Sequence, residues 1–246
     1  MSSIYSEFAF VYDALTDDID YKETVGYLEK IFEKQMNCKP KLILELACGT
    51  GSVTSLLAEK GYDMIGADLS EDMLNIAREK CDQSVLLLNQ DMTDFELYGT
   101  VDVILCLLDS VNYVTDKKKL QKMFSLAHNY LEYGGLFIFD INSSYKLKNI
   151  IAENTFIRET EDIYSVWENE QDGESVKFCL NFFVKNENNS YERFYEEHKE
   201  RIYEIDEVLK MLKKAGFEDV KVYGNNTFKP PSEKEERIYF IAKRHA

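Results

Sequence analysis

Two glycines and two carboxylates in this 246-residue chain are spaced to suit a ligand that is part cation and part nucleoside. Gly49 and Gly51 follow the apolar run Leu42 to Leu46, and Glu45 lies inside that run, four residues before Gly49. Asp68 comes 17 residues after Gly51. Glycines after a buried strand let a ligand approach the backbone, and the free N–H groups of a following helix favour electron-rich groups. An acid about 20 residues beyond such a turn is placed to accept both hydroxyls of a ribose. Glu45 can accept from an ammonium group, directly or through water, in a site that holds no phosphate. A dinucleotide fingerprint needs a third glycine, and this chain has Thr54 instead.

S-adenosylmethionine meets that description. Asp91 and Met92, after the third predicted strand, are candidates for the adenine: the carboxylate for its exocyclic amine, the thioether for its ring. Tyr5, Tyr12 and Tyr21 precede the sheet and are candidates to roof the ligand or to pack at its rim. His198 sits in Glu196-Glu-His-Lys-Glu-Arg201. Period-two spacing puts Glu196, His198 and Glu200 on one strand face and Glu197, Lys199 and Arg201 on the other. If the first row faces the reacting centre, His198 can take a proton from an amine or hydroxyl. Three separated histidines give no metal-site spacing, so no metal is expected.

The elements that must position these groups alternate. Phe8, Val11, Tyr12 and Leu15 predict a helix, and a second opens at Asp20 with Glu23 as in a capping box. Strands are predicted at Leu42–Leu46, through Met64 and Ile65 to Asp68, at Val85–Leu88, Val101–Leu108 and Leu136–Ile141. Ser70 caps a helix whose acidic first turn and basic last turn match the helix dipole. A helix carrying Leu120, Met123, Phe124, Ala127 and Leu131 is expected to end at Gly134-Gly135. This rhythm predicts an α/β doubly wound, mostly parallel sheet with right-handed crossovers. Residues 145–203 break it: a short helix near Tyr145–Ala152, then extended segments at Ile163–Glu168, Val176–Val184 and Tyr191–Arg201. A helix from Ile205 to Gly216 follows, and strands at Asp219–Tyr223 and Arg237–Ala242 close a hairpin. The expected organisation is one domain from 1–144 and 204–246, with 145–203 inserted as an antiparallel lid.

A formal charge of −16 argues against a broad nucleic-acid surface. Five scattered cysteines without a Cys-x-x-Cys pair read as reduced thiols. The start, Met-Ser-Ser-Ile-Tyr-Ser-Glu-Phe, lacks a signal-peptide pattern, and no apolar run nears the roughly 20 residues of a membrane span. A cytoplasmic protein is expected; its oligomeric state is unreadable.

Glu45-Leu-Ala-Cys-Gly-Thr-Gly51, Asp68, Gln90-Asp-Met92 and the strand order resemble a class I S-adenosylmethionine-dependent methyltransferase. The Ala-Cys-Gly-Thr-Gly run, the Tyr12-Asp13 pair and an insertion after the fifth strand are similar to small-molecule N-methyltransferases of the glycine and sarcosine type. Ala47 departs from the superfamily's usual glycine, as it does in that subgroup. The resemblance implies cofactor contacts from Tyr12, Glu45, Ala47, Cys48, Gly49, Gly51, Asp68, Leu69, Met73, Asp91, Met92 and Leu107. It also implies an acceptor entering over Leu108-Asp-Ser-Val-Asn-Tyr113 and Asp140-Ile-Asn142, with Tyr12, Asn112, Asn142 and His198 as candidate catalytic groups. No Asn-Pro-Pro-Tyr or Asp-Pro-Pro-Tyr motif is present, which favours a small-molecule methyl acceptor over nucleic acid. The competing readings are a tRNA or protein methyltransferase, a non-catalytic cofactor sensor or assembly factor, and a nicotinamide-dependent oxidoreductase, which the missing third glycine opposes.

Overall fold

A computed structural model describes residues 12, 16, 18–186 and 188–245. The helix predicted around Phe8 to Leu15 lies outside them except for Tyr12, as does Tyr5. Helix α1 (Tyr21–Gln35) begins as its sequence dictates: the Asp20 carboxylate accepts from the Glu23 N–H at 2.8 Å, and Val25, Leu28, Ile31 and Phe32 form a buried stripe.

The seven strands of one sheet follow, with four further helices among them. They are β1 (Leu42–Leu46), α2 (Ser52–Glu59), β2 (Asp63–Asp68), α3 (Glu71–Lys80), β3 (Leu86–Asn89), β4 (Val101–Cys106), α4 (Lys117–Tyr130) and β5 (Leu131–Asn142). After an inserted segment, α5 (Ile205–Ala215) leads to two closing strands at Asp219–Gly224 and Arg237–Lys243. Numbering the strands in chain order makes those closing strands β10 and β11, and the sheet order is β10-β11-β5-β4-β1-β2-β3. Strands β1 to β5 pair in parallel, while β11 runs antiparallel to both β5 and β10. Alternate residues serve opposite faces. Leu44, Leu46, Ile104, Phe137 and Phe139 pack with α4 and α5; Ile43, Val103, Leu105 and Ile138 pack with α1 and α2. A sheet covered on both sides explains why these strands read as unbroken apolar runs.

Two boundaries differ from expectation. Strand β4 ends at Cys106 rather than Leu108, whose φ of 55° turns the chain out of the sheet. Helix α4 stops at Tyr130, and Leu131 is already extended. Gly134 and Gly135 instead serve a register shift between Val101/Leu131 and Val103/Leu136. A Cβ on Gly135 would lie 2.7 Å from the Asp102 carbonyl oxygen, so only glycine fits the bulge.

The insertion carries a six-residue π-helical turn (Lys146–Ile151) and four strands rather than three: β6 (Thr155–Glu159), β7 (Ile163–Asp172), β8 (Ser175–Lys185) and β9 (Tyr191–Arg201). They form one antiparallel sheet in chain order. The missed strand, β6, is an edge strand with mostly exposed residues, so no apolar alternation announces it. One face packs Val176, Phe178, Leu180 and Phe182 against Leu147 and Ile151 of the π turn. The other is the solvated face, where Lys177 pairs with Glu197, Lys199 with Asp172 and Arg201 with Glu174. Among the described residues no helix is long and apolar enough to cross a membrane, and no His, Cys, Asp or Glu cluster could hold a metal ion.

Candidate active site

The glycine turn joins β1 to α2 through backbone angles that side chains resist. Ala47, Gly49 and Gly51 all have positive φ, at 52°, 54° and 76°. Ala47 thus occupies a left-handed position where glycine is unstrained, at a cost on the order of 1–2 kcal/mol. The turn is pinned from below. The Gly49 N–H donates to Asp68 Oδ2 at 2.8 Å, and the Ser70 N–H donates to Asp68 Oδ1 at 2.8 Å. Ser70 in turn caps α3, accepting from the Met73 N–H at 3.2 Å. A Cβ on Gly49 would meet nothing within 4 Å, so the backbone there faces open space.

Glu45 is 4 % exposed, and its carboxylate accepts a hydrogen bond from the Thr54 hydroxyl. Thr54 stands where a dinucleotide site has its third glycine, and its hydroxyl is spent on the acid. Burial is the main influence on Glu45 and lifts it to about 8, with the nearby Asp68 adding to the rise and Thr54 opposing it. Burial also raises Asp68 above its ordinary value, against the pull of its backbone N–H donors. Tyr12, Tyr21, Glu45, Ala47, Cys48, Gly49, Leu107 and Ser110 share the lining of one small cleft of about 40 Å³. Leu69 is 65 % exposed beside Asp68, whereas Met73 and Leu107 are buried. Asp91 holds a tight turn, its Oδ1 accepting from the Thr93 N–H at 2.7 Å and the Thr93 hydroxyl at 2.8 Å. Met92 sits half-buried with its sulfur 3.9 Å from Cys106. Asp94, the other acid of this loop, pairs outward with Lys122.

This donor set fits an adenosyl sulfonium. A buried acid can face an ammonium, a second acid with free lone pairs can take a ribose diol, and exposed Leu69 with Met92 can cover a ring. At Gly49, whose N–H is held by Asp68, the wall is open to a ligand.

The carboxyl ends of β4 and β5 form the second half. Leu108 and Asp109 both have φ of 55°, two consecutive left-handed residues without a glycine. Asp140, fully buried at the end of β5, holds them by accepting from the Leu108 N–H at 2.8 Å and the Asp109 N–H at 2.9 Å. Arg237 of β11 completes the clamp, donating to Asp140 and, at 2.6 Å, to Asp109 Oδ1. Arg237 and Asp140 were not singled out from sequence as a pair, since 97 residues separate them.

Asn112 and Asn142 lock this end to the inserted sheet. The Asn112 amide donates to the carbonyls of Asn142 at 3.3 Å and Arg201 at 2.9 Å, and accepts from the Asn142 N–H at 3.0 Å. The Asn142 amide donates to Glu200 Oε2 at 2.9 Å and accepts from Lys146 Nζ at 3.0 Å. Both side chains are therefore engaged in holding loops, with no amide hydrogen of Asn112 left for an acceptor. His198 lies between two rings, 4.7 Å from Phe178 and 4.9 Å from Tyr113, with Nε2 3.3 Å from the Tyr113 hydroxyl. Burial pulls its pKa down to about 4, only partly offset by Asp109. The ring is neutral at pH 7 and a poor proton acceptor. His128 packs edge-on against Phe217, and His245 lies 3.8 Å from Asp219, both away from the site.

Comparisons with known proteins agree with this geometry. A methyltransferase-domain family matches residues 43–135. A protein of Bacillus subtilis (strain 168) named as a methyltransferase, YqeM, is 35 % identical over 246 residues, covering 98 % of this chain and 97 % of its own. A second protein so named, from Geobacillus sp. (strain WCH70), is 33 % identical over 245 residues, covering 98 % and 99 %. The crystal structure of an S-adenosylmethionine-dependent methyltransferase from Clostridium acetobutylicum ATCC 824 superposes with a TM-score of 0.86 at 34 % identity, covering 98 % of this chain and 99 % of that one.

Proposed function

The chain belongs to the S-adenosylmethionine-dependent methyltransferases, and we propose that it methylates a small-molecule acceptor in a pocket lidded by the inserted sheet. The cofactor is S-adenosylmethionine, which supplies an electrophilic methyl group with a good leaving group already attached. The chain's own task is then mainly to hold a nucleophile in line and to exclude water, a contribution on the order of 7–11 kcal/mol.

One observation carries the small-molecule reading. Strand β9 is bonded directly to the carboxyl ends of β4 and β5, through Asn112 to Arg201 and through Asn142 to Glu200. In this reading the inserted sheet, tethered there, roofs the space where an acceptor meets the methyl. A roofed site of this kind excludes the body of an RNA or a folded protein. The acidic balance of the chain and the likeness of its glycine turn to glycine- and sarcosine-type N-methyltransferases support the same reading.

In this arrangement Glu45 and Asp68 orient the cofactor, and Tyr12 and Tyr21 stand over it. Cation–π attraction from such rings is worth roughly 0.5–2 kcal/mol for a sulfonium or ammonium. The Asp140–Arg237–Asp109 clamp sets the strained loop against which the acceptor rests. His198, held neutral, orients the Tyr113 hydroxyl instead of removing a proton. The test is to incubate the protein with isotopically labelled methyl donor and cell extract, then divide the label among metabolites, RNA and protein. Label in the metabolite fraction is the expected result; label confined to RNA or protein overturns the reading.

A further inference from the structure

The inserted sheet has two edges, β6 and β9, and they are built differently. Seven of the eleven residues of β9 are acidic or basic, and its end is bonded to Asn112 and Asn142. Charge and covering are the usual defences of a sheet edge against pairing with another chain. Strand β6 has neither. Its sequence, Thr-Phe-Ile-Arg-Glu, contains no lysine or proline, and its register on β7 runs without a bulge from Thr155/Glu168 to Glu159/Tyr164. Phe156 is 38 % exposed and Ile157 62 %.

The turn after β6 fixes which of its backbone groups point outward. The Thr160 N–H donates to the Ile163 carbonyl at 2.8 Å, closing the connection to β7. Hydrogen-bonded and non-hydrogen-bonded pairs alternate along an antiparallel ladder. Arg158 and Phe156 therefore bond to β7, whereas Thr155, Ile157 and Glu159 turn their N–H and C=O groups away from the sheet. Those outward groups have no backbone partner among the described residues. A straight, apolar strand with three outward donor–acceptor sets is a template for one more strand.

The strand is complementary to itself. Antiparallel pairing with β6 of a second copy, about a two-fold axis at Ile157, sets Ile157 opposite Ile157, Phe156 opposite Arg158 and Thr155 opposite Glu159. Every outward set is then used, and no like charges are opposed. Sliding the register by two residues one way sets Arg158 opposite Arg158; sliding it the other way sets Glu159 opposite Glu153. Side chains agree with the central register. On one face Ile157 and its cross-strand neighbour Val166 meet their symmetry mates in a single apolar row. On the other, Phe156, which packs on Trp167 at 5.4 Å, meets an arginine suited to cation–π contact.

We propose that β6 is a dimerisation edge, and that two copies of this chain join their inserted sheets into one eight-stranded antiparallel sheet across a two-fold axis at Ile157. The seam is only five residues long, less than a permanent interface buries, so the dimer exchanges with monomer. No residue of β6 lines the cofactor cleft, so cofactor binding serves as an independent check on the fold.

Light scattering on the full chain, 28.7 kDa, is expected to show a mass that rises with concentration toward twice that value. Ile157→Pro removes an outward N–H without touching a bond to β7, and Ile157→Lys sets two ammonium groups on the axis. Each is expected to raise the dissociation constant about tenfold or more, with calorimetric binding of S-adenosylhomocysteine unchanged. Cross-linking tests the axis itself. Directly opposed, hydrogen-bonded residues have Cα atoms about 5.5 Å apart, within reach of a disulfide. Ile157→Cys treated with diamide is expected to yield a covalent dimer joined at residue 157. Glu159→Cys, whose two copies lie more than about 13 Å apart in this register, is expected to yield none. A monomer at about 1 mM, a dimer that both Ile157 substitutions leave intact, no cross-link from Ile157→Cys, or equal cross-linking of Glu159→Cys overturns the proposal. None of these results bears on which molecule accepts the methyl group, so the functional reading stands or falls separately.

Discussion

Cofactor binding should be steeply pH-dependent, because Glu45 must change protonation state to receive a cation. Burial holds this acid at about 8 in the free protein, although its solvated value is 4.5. With that value, about 1 % of the protein carries an ionised Glu45 at pH 6 and about 24 % at pH 7.5. If only the ionised form faces the ligand's ammonium, affinity rises with that fraction, by about 24-fold across the interval, with a proton released on binding. Above about pH 7.7 the ligand's own α-amine begins to lose its charge, so affinity should peak near pH 8. Isothermal calorimetry in buffers of differing ionisation enthalpy measures both the constant and the released proton. Thr54→Val removes the hydrogen bond that lowers Glu45 and should move the rise to higher pH. Glu45→Gln should bind more weakly with no rise at all. Wild-type affinity constant within a factor of about two from pH 6 to 7.5 would refute the assignment of Glu45 to the ammonium.

Three other outcomes are expected. Arg237→Met strips the shared cation from Asp140 and Asp109 and should cost about 3–5 kcal/mol in urea unfolding, whereas Arg237→Met combined with Asp140→Asn and Asp109→Asn should recover much of that loss. Gly51→Ala adds a Cβ 3.0 Å from both Ala77 Cβ and Cys81 Sγ at a φ of 76°; a loss of about 1–3 kcal/mol is expected, read as a lower thermal midpoint, and an unchanged midpoint would count against the turn's geometry. Glu45, Glu196 and Glu200 are raised to about 8, about 7 and about 8. The folded chain therefore binds more protons than the unfolded one between pH 4.5 and 8, so stability of the free protein should be greatest at the acid end of that window and fall as pH rises through it. Chemical denaturation at three pH values checks the sign, and saturating cofactor should flatten the Glu45 share of the slope.

Short-range features of the chain were sufficient for the strand, turn and caps around the glycine turn. A bounded apolar run, a glycine turn, an N-cap serine and an acid one strand further on act within a few residues of one another, and each has few physical alternatives. Leu42–Leu46, the Asp20 and Ser70 caps and the closing hairpin all follow from such local rules. Period-two spacing separated the row Glu196, His198 and Glu200 from its opposite without deciding which faced inward; in the structure Glu196 and Glu200 are buried. The end of α4 was not, because Gly134-Gly135 reads as a helix stop unless the bulge against Val101 and Val103 is seen.

What only the tertiary structure decided is which polar groups are spent and which are free. Thr54 was visible as an absent glycine, but its bond to Glu45 depends on α2 folding back onto β1. Asn112 and Asn142 looked available for chemistry until strand β9 arrived to engage them, and Arg237 looked like one cation among 29 until β11 carried it between two acids. Trp167, Asn169, Glu196 and His198 share one face of the inserted sheet, with Leu180 and Phe178 between them, only through sheet register. Hydrogen-bond capacity is consumed pairwise across long sequence separations, so no local pattern in the chain can state what remains unpaired once it folds.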